Sequence, residues 1–409
     1  MACPQAATSV PTRFRCDPQW GERVARPFRL LVGRDAGPSS EEIHELQDAL
    51  VRRDELGAAL ARAIHHDKTV TMAQFRQALT TGLGSVPDPA PELTAFFERV
   101  ESRPDWVDDE LLLRAGAAIR RVGWDAGDIL AYGSLLGGYQ SAAALEPLAR
   151  TGRLDGPETL RRVGETSAWW LACTEPGGGM ARDSEGFRLS VHVRLMHAFV
   201  NDALERQDDW DWTHRGVPIN QYDQASTIQT FSTTFLIHAR LLGVRISRQD
   251  SKAIMHLWSY VGWLMGVDEQ WLPRTERVGR RATYHLLSND PPPDHNSRSL
   301  AAALIGMTDH YPDSTSWRRR FQRERALSLG THLIRPSGMR DVGLPVRPPW
   351  YPAFRIASNL MWFQLIGRLP GGTDRLDRRA ARALVRLDRL QFGGRRPRVG
   401  PASPNLTRP

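Results

Sequence analysis

Two stretches of this 409-residue chain space their reactive side chains so that chemistry is possible. The first contains His192-Val193-Arg194-Leu195-Met196-His197. At about 100° per residue, Leu189, Val193, Met196, Val200 and Leu204 share one helical face. His197 lies about 40° from Val193 and about 60° from Val200, on or beside that apolar stripe, and about 140° from His192. An inward histidine is either a hydrogen-bonded member of the core or a ligand. Presented from a helix to a large apolar cavity, it is what a b-type haem requires. In the second stretch Arg162, Glu165, Thr166 and Trp169 recur at i, i+3, i+4 and i+7. A cation, a carboxyl, a hydroxyl and an aromatic ring then share one face. Taken alone, the same spacing equally describes an exposed Arg–Glu pair worth about a few tenths of a kcal/mol.

The elements that must position these residues are helical. Ser39-Ser40-Glu41-Glu42 has the form of a capping box. Trp106-Val107-Asp108 leads into a helix through Leu111, Leu112, Ala115 and Ile119. Further helices are expected near 127–144, over 157–173 and over 187–206. One long helix should run from a cap at Asn220 to about Gly243, and another from Ser251 to Met265. More follow near Leu300, after Tyr351 and after Arg375. Period-two alternation is scarce, and no fixed-period repeat is evident. The expectation is an all-α fold: residues 1–38 a mostly irregular arm, residues 39–392 a single large helical domain, and residues 393–409 a disordered tail.

Composition removes several classes. No apolar run reaches the roughly 18–20 residues of a membrane span. No secretory signal is evident before Arg34, which points to a cytoplasmic protein. Three cysteines without a CxxC exclude a disulfide framework, a four-thiolate metal site and thioether-linked haem. There is no phosphate-binding GxxxxGK[ST] loop and no GxSxG elbow. His44-Glu45 opens an HExx that ends in Asp48, so the zinc-protease helix is missing. The net charge of +8 rests almost wholly on arginine and comes with no nucleic-acid-binding signature, so no nucleic-acid partner is expected.

The run His192–Asn201, with Gly216-Val217-Pro218-Ile219-Asn220-Gln221-Tyr222-Asp223 and Thr230-Phe231-Ser232 after it, resembles the latex-clearing-protein and MpaB-type haem oxygenases. The resemblance runs from about Trp106 to about Pro273. It takes in Leu136-Gly137-Gly138-Tyr139 to Leu154 and Gly262-Trp263-Leu264-Met265-Gly266-Val267. It implies a globin-like helical core around one non-covalent haem b, with His197 as the iron ligand. Arg194 would lie near the haem, where its fork can pair with a propionate. The family's Arg-x-x-Lys-Thr falls on Arg162, Glu165 and Thr166, so the lysine is replaced by a carboxyl. Glu146 falls near the position of an acidic residue thought to act as a base.

By that resemblance Arg162, Glu165 and Thr166 would line the oxygen side. Glu165 would donate or accept a proton, according to whether burial or Arg162 sets its charge. Arg162 could stabilise negative charge on the oxygen species. The alternative for Glu165 is a structural salt bridge with Arg162. The expected activity is oxygenation of a small hydrophobic or aromatic metabolite, with dioxygen or peroxide, in bacterial secondary metabolism. The rivals are a peroxide-using or redox-neutral haem enzyme, catalysing dehydration, rearrangement or cyclisation, and a helical binding protein without catalysis.

Overall fold

The computed structural model describes residues 10–33, 36–150, 156–312 and 315–394. Every regular element among them is helical, and they form one helical domain. The main apolar cluster runs from Leu60 to Leu376, and two small satellites tie the N-terminal helices to Tyr222, Ala225, Tyr284 and Leu286. At its centre is the helix Arg248–Leu264, where twelve of seventeen residues are buried. From Ala253 onward it is buried on nearly every side, as a helix in the middle of a protein must be. Ser247 caps it by accepting from the Asp250 N–H at 3.0 Å. Its Trp258 stacks on Phe231 at 5.1 Å, and Trp169 meets both rings.

Local signals are obeyed where the partner is local. Ser39 and Glu42 form the reciprocal capping box at the helix Ser40–Ala49. Asp108 caps Asp109–Val122, and Asn220 caps Gln221–Phe231. Three expectations need correction. Residues 1–38 contain the helix Pro18–Val32, started by Asp17 accepting from the Trp20 N–H at 2.9 Å, with Pro18 in the first turn. It packs along Glu276–Asn289 through Trp20, Val24 and Ala25, a short apolar stripe hidden in an arginine-rich segment. The long helix after Asn220 is two helices, Gln221–Phe231 and Thr233–Leu241, broken at Ser232. Ser232 Oγ donates to the Ile228 carbonyl and Thr230 Oγ1 to Thr227, so hydroxyls compete for the acceptors of the backbone ladder. The helix expected near 127–144 is Trp124–Asp128, a π-helical segment Ile129–Leu135 and a last turn Leu136–Gly138.

Gly133 shows why the π segment accepts no larger residue there. A Cβ at Gly133 would lie 2.4 Å from Nδ1 of His238, on the helix Thr233–Leu241. Tail residues 395–409 lie outside the described residues. Among those described, no helix is long and apolar enough to cross a membrane.

Candidate active site

The helices enclose a cavity of about 550 Å³. His197 on the helix Glu185–Glu205 and Arg162, Thr166 and Trp169 on the helix Gly156–Cys173 reach the same cavity. Phe231, Leu384 and Leu387 make other parts of its mostly apolar wall.

His197 is half-buried, with its remaining surface on the cavity. Burial lowers its pKa to about 4, with a smaller opposing pull from Asp54. At neutral pH the ring is therefore uncharged. Its Nδ1 is enclosed and has no hydrogen-bond partner. His192 is not on the wall.

Arg194, one turn before His197, is also off the wall. It holds Asp54 in a bidentate pair at 2.6 and 2.7 Å, and its guanidinium lies 4.8 Å from the centre of the Phe96 ring. Gly266 lets this pair form. Its φ is +85°, and a Cβ there would stand 2.7 Å from the Asp54 carboxyl and 2.9 Å from Arg194 Nε.

On the facing helix, Arg162 Nη1 donates to the Leu148 carbonyl at 3.2 Å, and its Nε lies 3.5 Å from Glu158. Glu165 is not on the cavity wall, and the expected Arg162–Glu165 pair does not form. Glu165 pairs with Arg161, which also holds Glu158. Arg161 is the exposed neighbour within reach of both carboxylates at i−3 and i+4, while Arg162 is turned to the cavity. Glu146 is buried but also off the wall. It accepts from Arg150 at 2.8 Å and Asn296 at 2.9 Å, and Arg215 makes an ion pair with it at 3.3 Å.

Sequence reasoning did not single out a second polar group. Asp223, in the first turn of Gln221–Phe231, lies on the cavity wall beside Gln224. One of its oxygens accepts from Arg13 and from Asn220, both at 2.8 Å, and the other has no partner. Asp290 is fully buried nearby. Burial, and then the charge of Asp223, raise its pKa to about 7, against Arg13, Ser141 and Tyr222. Ser141 also lines the cavity. One buried arginine thus faces two buried carboxyls, and burial keeps Asp290 protonated up to about pH 7. The capping run Asn220–Asp223 gave a local hint, but nothing in the sequence ties Arg13 to it.

The pH dependence follows. A carboxyl whose pKa rises from 3.8 unfolded to about 7 folded favours the native state while protonated. That contribution is fully present below pH about 4 and is lost as pH rises towards 7. Relative to Asp290→Asn, the wild type is therefore expected to lose unfolding free energy between pH 4 and 8. Parallel urea titrations across that range check it, and two curves that stay parallel would refute it.

The family model for the ER-bound oxygenase mpaB/B' and rubber oxygenase catalytic domain matches residues 120–370. A rubber oxygenase of Streptomyces sp. (strain K30) is 23% identical over 311 residues, covering 74% of this chain and 71% of that protein. A solved structure of latex clearing protein LCP in the closed state superposes with a TM-score of 0.60 at 17% identity. The match covers 83% of this chain and 91% of that one, and it is a likeness of fold.

Proposed function

Since the chain belongs to the mpaB/B' and rubber oxygenase catalytic-domain family, it is an oxygenase, and we propose that a non-covalent haem b held by His197 serves it in oxidising a small apolar or aromatic metabolite. The observation that carries this reading is the uncharged His197 on the wall of an apolar cavity. Among the described residues, no three His, Cys, Asp or Glu side chains converge to hold a bare metal ion. A single imidazole suits an iron that brings its own four nitrogens. The cavity fits the group in character, since it offers a neutral donor, apolar walls and aromatic faces.

Haem, when bound, would supply the iron at which dioxygen is activated. The chain's own side chains do the rest. The apolar wall excludes water, which strengthens every charge interaction inside. Arg162, held by one backbone carbonyl and a distant carboxylate, is the cation available to developing negative charge. Thr166 adds a hydroxyl on the same wall. Asp223 turns an unpartnered oxygen toward this region, and Asp290 behind it, its pKa raised by burial, is the carboxyl that holds a proton close to the cavity. Arg194 is committed to Asp54, so a role at a propionate would require that pair to open. A cytoplasmic setting and a place in secondary metabolism belong to the same proposal.

The test is an optical spectrum and haem assay of the protein purified after haem-supplemented expression. One haem per chain, with dioxygen consumed in the presence of substrate, is expected. A colourless but fully helical protein would overturn the reading. Peroxide-dependent turnover without dioxygen uptake would leave the haem and change the oxidant.

Two substitutions separate catalyst from brace on the Arg162 helix. Arg162→Ala is expected to lower turnover per bound haem by about 10²–10³, the usual worth of a charge-stabilising donor. Glu165→Gln is expected to leave it within about twofold and to cost about 0.3–0.5 kcal/mol of stability, as for a surface i,i+4 pair. A large loss in Glu165→Gln with haem retained would place Glu165 in the chemistry.

A further inference from the structure

The positive charge of the protein is not evenly spread. Residues 316–394 hold 16 arginines and five acidic residues, a net +11 against +8 for the whole chain. The other residues are therefore net −3. This basic segment also carries an extended exposed apolar face.

That face begins on the helix Ser316–Leu333, where Trp317 is 64% exposed and Phe321 follows one turn later. The Phe321 ring lies 5.7 Å from that of Trp350, which opens the helix Trp350–Asn359. From Trp350 the exposed positions are Ala353, Phe354, Ala357, Leu360 and Met361. At about 100° per residue they fall within one third of the helix circumference. The face continues over the π-helical turn Leu360–Leu365 to Leu365 and Leu369. No acidic residue occurs from 342 to 373.

The opposite side of this helix explains how it stays in place without its outer face. Arg355 holds Asp125 in a bidentate pair at 2.7 and 2.8 Å. Asn359 donates to Asp125 at 2.6 Å and to the Leu242 carbonyl at 3.0 Å. Buried polar bonds pin the inner side, so the outer aromatic and aliphatic side chains are not needed for packing.

Cations flank the face. Arg318, Arg319 and Arg320 are exposed between Trp317 and Phe321. On the helix Gly372–Phe392, exposed Arg375, Arg378, Arg382, Arg386 and Arg389 fall within about 80° of one another. The inner side of that helix supplies Leu384, Leu387 and Phe392 to the cavity wall.

We propose that this face is a docking surface for an anionic phospholipid bilayer, which the protein meets peripherally. Aromatic and aliphatic side chains on one helical face enter the headgroup boundary, and arginines around them draw in anionic lipid. The charge argues for lipid over a second copy of the chain. Self-association through this face would bring two net +11 segments together. The docking does not depend on the haem reading.

Vesicle co-sedimentation of the full-length protein tests it. Wild type is expected to sediment with vesicles of phosphatidylcholine containing about a third phosphatidylglycerol and to stay in solution with phosphatidylcholine alone. Binding should weaken as salt is raised, and tryptophan emission should shift to the blue on binding. Phe354→Asp with Leu365→Asp, both at exposed positions, and separately Arg318→Glu with Arg319→Glu and Arg320→Glu, are each expected to lower the lipid affinity at least tenfold. Melting temperature confirms that these variants fold. Equal binding to neutral vesicles, no binding to either, or unchanged binding by both variants would overturn the proposal. So would a dimer in light scattering that Phe354→Asp converts to monomer.

Discussion

His197→Ala is expected to retain less than about a tenth of the wild-type haem, while His192→Ala retains nearly all of it. The two rings are about 140° apart on one helix, and only His197 lies on the cavity wall. The loss should not come from unfolding. His197 makes no hydrogen bond through Nδ1, so its removal strands no buried partner there. Removing the ring also removes a group that resists protonation, since burial holds its pKa near 4 against 6.5 unfolded. A group of that kind favours the native state above pH 6.5, and the contribution is lost as pH falls towards 4. The alanine variant should therefore be less sensitive to acid than the wild type apoprotein. Haem content by absorbance, with circular dichroism as the folding control, decides the matter. Equal haem in His197→Ala and wild type would remove His197 from the site.

The second large effect belongs to the N-terminal segment. Arg13 is buried and is the cation beside Asp223 and Asp290. Arg13→Ala would leave two enclosed carboxyls without it. Breaking a buried pair on one side typically costs about 3–5 kcal/mol. The loss should be largest above pH 7, where Asp290 gives up its proton. Asp223→Asn in the Arg13→Ala background is expected to recover much of that loss, giving strong non-additivity. Urea unfolding of the two single variants and the double variant checks this. An Arg13→Ala chain as stable as wild type at pH 8 would mean that the carboxyls are already satisfied without it. The same substitution should alter turnover, because Asp223 faces the cavity.

These residues also mark how far the sequence could be read. Ser39, Asp108 and Asn220 start helices because a cap and its acceptors lie within three residues of each other. His197 could be placed on the inner side for the same reason, since one helix's own periodicity settles it. The break at Ser232 was hidden because its hydroxyl competes with the backbone only once the neighbouring helices have fixed its rotamer. For Glu165 the sequence offers proton transfer on the oxygen side or a salt bridge with Arg162, but two adjacent arginines stand within reach, and only the position of the cavity decides which one turns away. Arg194 looked free because Asp54 is 140 residues away. Arg13 and Asp223 are 210 residues apart, and no local pattern links them. The apolar face on Trp350–Asn359 escaped notice because exposure, unlike periodicity, is not written in one segment.

The π-helical turn at Ile129–Leu135 has a bearing on how this chain can be edited and aligned. Such a turn holds one residue more than an α-helical turn of the same height. It is what a single-residue insertion leaves behind in a helix whose two ends are already packed. Tyr139 and Ser141, just beyond it, are cavity-wall residues. Deleting one residue within 129–135 would let the helix close as a regular α-helix and leave the residues after it facing as they do now, because the wide turn already absorbs the extra residue. Tyr139 and Ser141 would then keep their places on the cavity wall. An alignment that carries a relative without this turn straight through the segment, with no gap, would pair the wrong residues on the cavity wall. Single-residue deletions confined to those seven positions are therefore expected to spare both the fold and the wall beyond the turn.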